Sequence, residues 1–258
     1  PATKGNRLEA SLQSMTPGGR LTTESGVPVS TSDRTSQSTI YYTPFVHNVI
    51  TLWDGNDWVP VTFSEVSLAL GTLTSGANYD VFGYLSSGAL TLEMLVWTNN
   101  TTRATAVTLQ DGRYCKSGDK TRLYLGTFRT TSTTTTEDSG ARSTTAARKR
   151  FVWNAYNRVR RELCIEEDTS SWTHTGSAAW RQVRASSDNQ FEAICGLPGE
   201  AFISIQNFGA HGNNTVNGAS SVGVGYDSTS AISNYSFNHY TASASGNCLQ
   251  PALDLPPG

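Results

Sequence analysis

The chain has 258 residues and a formal net charge of −2 at pH 7, with 16% charged and 37% hydrophobic residues. A balance this close to neutral gives no field that would steer the protein to nucleic acid or to an anionic membrane, so neither is an expected partner. No run approaches the roughly 18 apolar residues of a membrane-spanning helix. The 10% of aromatic residues, six Trp among them, supplies bulk for a core, and the polar remainder favours many short strands and turns.

The first 39 residues contain no aromatic residue and only scattered aliphatic ones. A segment this poor in apolar bulk does not fold alone, so we expect an extended N-terminal arm that becomes ordered against a neighbour or another chain. The alternative is an unanchored terminus. If the arm is ordered, it is the predicted docking device, and its candidate contacts are Leu8, Leu12, Met15, Leu21 and Val27.

Three β-hairpins are predicted in the body that begins at residue 40, because paired apolar segments flank short turn sequences. They join residues 47–53 to 58–63, 79–85 to 89–97, and 105–110 to 113–115. In the second hairpin, the residues predicted to point into the core are Leu90, Leu92, Met94 and Val96. Residues 64–70 fit either a strand or a short helical turn.

Two further segments, residues 122–129 and 149–160, alternate with period two and are predicted to pair as strands. In the first, the alternation assigns one face to Leu123, Leu125 and Thr127, and the other to Tyr124, Gly126 and Phe128. The insertion at 130–147 is rich in Thr and has no aromatic or large aliphatic residue. We therefore expect it to project from the sheet as a loop.

Beyond residue 165 the sequence predicts a meander of short strands. Its segments are residues 171–174, 179–184, 190–195 and 200–208. The whole pattern predicts an all-β protein with an antiparallel β-sandwich or jelly-roll-like body at 40–258 and an extended N-terminal arm at 1–39. Residues 40–165 would form the main sandwich, and residues 166–258 would add strands and display loops.

The region from residue 210 to residue 240 mixes Asn, Gly, Ser and Tyr, a composition typical of adaptable recognition loops. It is therefore the candidate region for ligand contact. The candidate residues are His211, Asn213, Asn214, Tyr226, Tyr235 and Tyr240.

One basic cluster stands out, and it consists of Arg142, Arg148, Lys149, Arg150, Arg158, Arg160 and Arg161. Guanidinium groups bind oxyanions bidentately, so the cluster could contact phosphate or an acidic glycan. The alternative is that it lines a solvated strand face or pairs with Glu162, Glu166 and Glu167.

No catalytic or cofactor motif is present, so we expect neither an enzyme nor a bound cofactor or metal ion. The four His residues have no metal-ligand spacing, and the four Cys residues are far apart, which favours free thiols, with disulfides as the alternative. The remaining route to glycan cleavage is a carboxylate pair assembled by the fold. The carboxylates considered are Asp80, Glu93, Asp188 and Glu192.

Several motifs between residues 40 and 165 resemble a family of virion structural proteins of tailed bacteriophages and prophages. They include Tyr41-Tyr-Thr-Pro-Phe-Val46, Thr51-Leu-Trp-Asp-Gly55, Thr62-Phe-Ser-Glu-Val-Ser-Leu-Ala-Leu70, Tyr79-Asp-Val-Phe82, Thr101-Thr-Arg-Ala-Thr105, Leu109-Gln-Asp-Gly112, Tyr124-Leu-Gly-Thr-Phe-Arg129 and Phe151-Val-Trp-Asn-Ala-Tyr-Asn-Arg-Val159. The likeness extends more loosely to residue 226. These motifs are turns and aromatic strand faces, and none is a catalytic signature.

The resemblance implies a protein of the virion surface, assembled in the host cytoplasm as a tail-fibre, spike or head-fibre module. It implies a homotrimer that contacts other virion proteins (capsid, portal or tail), with a host surface glycan as a further candidate partner. The expected function is host attachment, with docking through the N-terminal arm. The alternatives are a capsid or tail decoration protein without receptor binding and, ranked last, a glycan depolymerase.

Overall fold

The computed structural model describes residues 16–167 and 179–198, and short segments at 204–206, 210–211, 219–225, 227–231, 236–240, 248–249 and 252–254. The predicted all-β class is confirmed, since the described residues contain no α-helix and only one turn of 3₁₀ helix at Val183–Ala185. The strands are β1 (Gly19–Thr22), β2 (Arg34–Gln37), β3 (Thr39–Pro44), β4 (Val49–Trp53), β5 (Trp58–Thr62), β6 (Val66–Ala69), β7 (Asn78–Ser86), β8 (Ala89–Val96), β9 (Val107–Gln110), β10 (Arg113–Lys116), β11 (Asp119–Arg129), β12 (Thr136–Ser139), β13 (Arg148–Arg150), β14 (Val152–Asn154), β15 (Phe191–Ala193), β16 (Ser204–Gln206), β17 (Ala210–His211), β18 (Ala219–Gly223), β19 (Ser236–Tyr240), β20 (Cys248–Leu249) and β21 (Ala252–Asp254).

The three predicted hairpins are all present, as β4–β5, β7–β8 and β9–β10. Two of their turns place both central residues at positive φ, at Ser87-Gly88 and at Asp111-Gly112. This is the conformation of a type I′ turn, whose twist matches that of the flanking strands. The ambiguous segment at 64–70 forms strand β6, which pairs with β3.

The largest sheet has the strand order β8-β7-β11-β10-β9, and β14 pairs with the second half of β11. The predicted pairing of residues 122–129 with the segment after 149 is thus confirmed, although the partner strand ends at Asn154. Opposite β7, the ladder of β11 shifts register between Tyr124 and Gly126, which marks a β-bulge.

The bulge changes the faces of β11 relative to the period-two prediction. Leu125 and Gly126 together oppose Val81, so alternation restarts one residue later. Thr127 therefore joins Tyr124 on one face, and the two hydroxyls lie 2.5 Å apart. Phe128 joins the opposite, core-facing side. A Cβ atom at Gly126 would collide with the carbonyl oxygen of Trp153, so the bulge requires glycine.

A second layer, the sheet β1-β3-β6 together with the hairpin β4–β5, packs on this sheet and makes the sandwich. The core between the layers is aromatic and aliphatic, with Tyr42 stacked on Phe63 and Tyr79 stacked on Phe128 at centroid distances of 5.1 and 5.4 Å. The antiparallel sandwich is thus the observed architecture, while its jelly-roll variant stays a prediction. In β8, Leu90 and Leu92 are buried as predicted, but Val96 at the end of the strand is 41% exposed.

The outer face of the large sheet is covered by residues 190–197, which belong to the same compact unit as residues 1–166. Phe82, Tyr124 and Trp153 form a small core there with Leu197. Strand β15 of this segment pairs in parallel with β13, and the resulting four-stranded sheet has the order β15-β13-β12-β2.

The predicted projecting loop at 130–147 is wrong at Thr136–Ser139, which form strand β12. Strand β12 lies in the middle of the four-stranded sheet, and Thr136, Asp138 and Ser139 are buried. Their small polar side chains are compatible with burial because they find hydrogen-bond and ion-pair partners there. Thr136 donates to the carbonyl oxygen of Arg129 at 2.6 Å, and Asp138 binds Arg150.

The predicted boundary at residue 39 does not separate two bodies in the described residues. Strands β1 and β2 both lie within the predicted arm. Strand β1 pairs with β3 of the sandwich, and β2 pairs with β12 of the four-stranded sheet. The arm is thus ordered against its own chain from residue 16 onward, and residues 1–15 lie outside the described part.

The second compact unit comprises residues 167–189 and 198–258. Its described strands form the pairs β16–β21, β17–β20 and β18–β19. Of the predicted meander, residues 171–174 lie outside the described residues, and residues 179–184 are not a strand. The segment 190–195 contains β15 and the segment 200–208 contains β16. Nowhere in the described chain is there a helix with the length and apolar character needed to cross a bilayer.

Candidate functional site

An arginine-lined cavity lies beside the four-stranded sheet in the first compact unit. Its walls are the loop 30–33, the turn at Gly140-Ala141, and the side chains of Arg150, Arg161 and Glu162, and its volume is about 160 Å³. The cavity is where the described part of the predicted arm meets the 130–147 insertion and the chain after β14.

The pleat of β13 explains why the side chains of Arg148 and Arg150 point the same way. Arg148 and Arg150 are two residues apart and share a face, whereas Lys149 points to the other side and pairs with Glu137 at 3.4 Å. Arg148 Nη1 lies 2.6 Å from Asp33 Oδ2, and Arg150 Nη1 lies 2.9 Å from Asp138 Oδ1.

Asp138 is the buried centre of the cluster, because it binds two guanidinium groups at once. Its Oδ1 accepts from Arg150, and its Oδ2 lies 3.2 Å from Arg161 Nη2. Arg150 also donates from Nε and Nη2 to the carbonyl oxygen of Glu162. Arg161 Nη2 reaches the carbonyl oxygen of Ser30 at 3.4 Å.

Asp33 fixes the opposite wall. Its Oδ1 accepts from the backbone N–H groups of Gly140 and Ala141 at 2.8 and 2.9 Å. Burial alone would raise the pKa of Asp33, but these two donors and the Arg148 guanidinium outweigh it and hold the pKa below its usual value. Asp33 is therefore ionised at neutral pH and holds the turn in place.

A fourth guanidinium, that of Arg20 on β1, lies close to this cluster. The pKa of Arg20 is lowered to about 10, first by burial and then by the positive charge of Arg161, and Asp138 opposes the change only in part. Burial likewise lowers the pKa of Arg161, with Arg150 adding to the effect against Asp138. Burial therefore makes the environment of both guanidiniums less favourable for their charge than water is.

The basic cluster predicted from the sequence is thus partly assembled and mostly ion-paired, but with other partners than expected. Arg142 pairs with Glu166 as predicted. Glu162 contributes its carbonyl oxygen to Arg150, and Glu167 pairs with Arg184 in the second unit at 3.1 Å. Arg158 lies over the ring of Trp153 at 5.5 Å.

Sequence reasoning missed Asp33 and Asp138, the acidic partners that organise the cavity. Asp138 was assigned to a projecting loop and Asp33 to an arm. A signal was present, since Glu137-Asp138 is the acidic pair of the insertion and precedes the basic run at 148–150. Opposite charges on consecutive polar segments favour antiparallel pairing.

The predicted docking residues of the arm have different locations. Leu21 is 2% exposed in the sandwich core, so its side chain is not presented to another protein. Its backbone is held by Asn154, whose side chain accepts from the Leu21 N–H at 2.6 Å and donates to the Leu21 carbonyl at 3.0 Å. Val27 is half-buried, and Leu8, Leu12 and Met15 lie outside the described residues.

The predicted ligand-contact loops fall largely outside the described residues. Asn213, Asn214, Tyr226 and Tyr235 are among those not described. The backbone of His211 lies in β17 opposite Cys248, and that of Tyr240 lies in β19 opposite Ala219. A role of these six residues in ligand contact stays a prediction.

The carboxylates considered for glycan cleavage have other partners. Asp80 is buried and binds Arg103 through both oxygens, at 2.6 and 3.2 Å, and also accepts from Thr127. Glu93 binds Lys116 and Arg122 at 2.9 and 3.3 Å. Asp188 accepts from Ser186, and Glu192 lies on β15 opposite Lys149.

Cys115, Cys164 and Cys195 are free thiols, as predicted. Burial raises the pKa of the Cys115 thiol to about 11, which leaves it protonated and unreactive at neutral pH. In the part of the chain that the structure describes, no group of three or more His, Cys, Asp or Glu residues is arranged to hold a metal ion.

Comparison of the chain with known proteins found no match. No protein-family model matches the chain, and it has no significant similarity to a curated protein or to a solved structure.

Proposed function

We propose that this protein is a structural component of a tailed-bacteriophage virion, a homotrimeric surface module that takes part in host attachment. The observation that carries the proposal is the resemblance of residues 40–165 to that family of virion proteins. A sandwich with short turns suits this role, since it is a rigid support for display loops.

The positions of the resembling residues support the proposal. Tyr42, Phe82 and Tyr124 are buried, and Trp53 meets Trp58 edge to face across the first hairpin at 5.7 Å. The motif at 151–159 supplies Asn154, which holds β1 against the sandwich. The residues that carry the resemblance are thus among those that specify the body, and recognition on such a scaffold would fall to its loops.

Exposed apolar side chains support the proposal of an assembly. Phe45 and Val46, which are neighbours in the chain, are 41% and 65% exposed. Large apolar side chains on a surface are commonly covered in oligomers. Light scattering on the purified protein should give three times the chain mass, and a monomer at micromolar concentration would contradict the trimer.

An adsorption experiment tests host attachment. Purified protein, added to host cells before the phage, should reduce phage adsorption in a saturable manner. The same amount of heat-unfolded protein is the matched control. Unchanged phage adsorption would refute a role in host attachment and favour a decoration protein without receptor binding. Release of reducing ends from host polysaccharide would favour a glycan depolymerase.

A truncation tests docking by the arm, and the fold decides where to cut. Removing residues 1–39 would delete β1 and the buried Leu21, so loss of incorporation would only report unfolding. Removing residues 1–15 leaves both strands in place. We expect this shorter protein to keep the thermal stability of the full chain and to be absent from particles, and normal incorporation would contradict docking by this segment.

A further inference from the structure

We propose that the arginine-lined cavity binds a small oxyanion, a carboxylate or a phosphate group, with Arg161 as its principal ligand. The proposal concerns residues of the first compact unit and does not depend on the function proposed above.

The hydrogen bonds of Arg161 leave most of its donors available. Its described partners, Asp138 and the carbonyl of Ser30, are both reached from Nη2. A guanidinium has five N–H donors, so Nε and Nη1 retain three of them. Among the described residues no acceptor lies within hydrogen-bond distance of these three N–H groups, and the Arg161 side chain is 21% exposed. The Nε–H and Nη1–H groups lie on different sides of the guanidinium, so each offers a separate charge-assisted hydrogen bond to an oxygen of a carboxylate or phosphate.

The charges around the cavity leave a positive excess. Arg150, Arg161 and Asp33 line the cavity. The charges behind this wall are those of Arg20, Arg148 and Asp138, so four guanidiniums stand beside two carboxylates. The exposed Glu162 at the rim brings the balance to four positive against three negative charges. The repulsion between Arg20 and Arg161 is therefore offset only in part, and an incoming anion would reduce it further.

The size of the cavity limits which chemical group it can enclose. A volume of about 160 Å³ corresponds to about five water molecules, and it is below the roughly 300 Å³ at which pockets for drug-sized ligands begin. The cavity is open to solvent on one side, so it can enclose one acidic group while the rest of a larger molecule stays outside. The exposed Thr31 and Ser32 in the adjoining wall offer hydroxyl donors for its remaining oxygens.

The alternative is that the arginines only fasten β2, β12 and β13 to the chain after β14. Both roles can coexist, but only a ligand site gives a response to added anion that is saturable and local to Arg161. Variants must therefore be compared by the change in Tm that an added anion causes, and not by their Tm without anion alone.

The test is thermal unfolding of the full-length protein titrated with sodium phosphate and, separately, with sodium glucuronate, at constant ionic strength adjusted with sodium chloride. We expect a saturable rise in Tm with at least one of the two anions, because a ligand of the folded state raises stability with its concentration. A response to phosphate alone identifies a phosphate site, and a response to glucuronate identifies a carboxylate site.

Arg161→Gln should weaken the apparent affinity at least about tenfold, which is the order expected for losing a charge-assisted hydrogen bond. Arg142→Gln is the matched control, since Arg142 pairs with Glu166 and does not line the cavity. It should respond as the wild type does. Ser32→Phe removes no ion pair but fills the cavity from an exposed position, and it should abolish the response even if Arg161→Gln does not fold.

Absence of a saturable rise with both anions in the wild-type protein would overturn the proposal. An unchanged response of Ser32→Phe would overturn it as well, and so would an unchanged response of a folded Arg161→Gln protein.

Discussion

Replacing Leu21 by Ala tests whether the start of the chain is part of the sandwich. The side chain is 2% exposed and packs in the core between the two layers. The substitution removes three carbon groups at about 0.8 kcal/mol each, and incomplete collapse of the cavity adds to this, so we expect a loss of about 3 kcal/mol. For a unit of this size the loss corresponds to a fall in Tm of about 6–12 °C.

The assay is denaturant unfolding followed by Trp fluorescence, with Leu109→Ala as the control because Leu109 is 55% exposed. The control should stay within about 0.5 kcal/mol of the wild type. The placement of β1 would be refuted by a Leu21→Ala protein as stable as the control, since a detachable arm contributes nothing to the stability of the body.

Three further substitutions probe features of the sandwich. Asp80→Ala leaves the guanidinium of Arg103, whose side chain is 14% exposed, without its carboxylate partner. We therefore expect the free energy of unfolding in urea to fall by about 3–5 kcal/mol. The Asp80→Ala/Arg103→Ala double variant should lose less stability than the sum of the two single losses, and an additive loss would contradict coupling between the two residues. Gly126→Ala forces a Cβ against a carbonyl oxygen and should cost about 1–3 kcal/mol, and a neutral effect would argue against the bulge. Burial alone would raise the pKa of Glu65, but the hydrogen bonds from Ser25, Thr43 and Gly26 lower it below the ordinary 4.5. Its ionised form therefore stabilises the fold above pH 4.5, and this stability is lost as pH falls through the lowered pKa. The stability gap between the wild type and Glu65→Gln should narrow between about pH 6 and about pH 3, and a gap independent of pH would contradict this.

The hairpins could be predicted because their information is local. A turn such as Asp111-Gly112 adopts positive φ without help from distant residues, and alternation on either side sets the register. The bulge at Leu125-Gly126 could not be predicted in the same way. Its glycine is required by the carbonyl of Trp153, a contact across the sheet that no window of sequence reveals.

The arm and the insertion were misjudged for a shared physical reason. Both are poor in apolar side chains, and apolar content was taken as the requirement for burial. The structure buries them instead through polar contacts over long sequence separations. Asn154 holds the backbone of β1, and Arg150 and Arg161 hold Asp138 of β12. Such pairs depend on partners more than a hundred residues away in the case of β1, so composition alone cannot indicate them.

Residues 190–197, which cover the outer face of the large sheet, are synthesised after the strands that they cover. Tyr124 and Trp153 are complete about forty residues before Leu197, which packs against them. At 5–20 residues per second, a nascent chain exposes this aromatic patch for roughly 2–8 s before it can close. A ribosome stalled in that interval presents a surface that attracts chaperones or neighbouring nascent chains, so the rate of translation through residues 155–190 influences how much of the protein is recovered in native form.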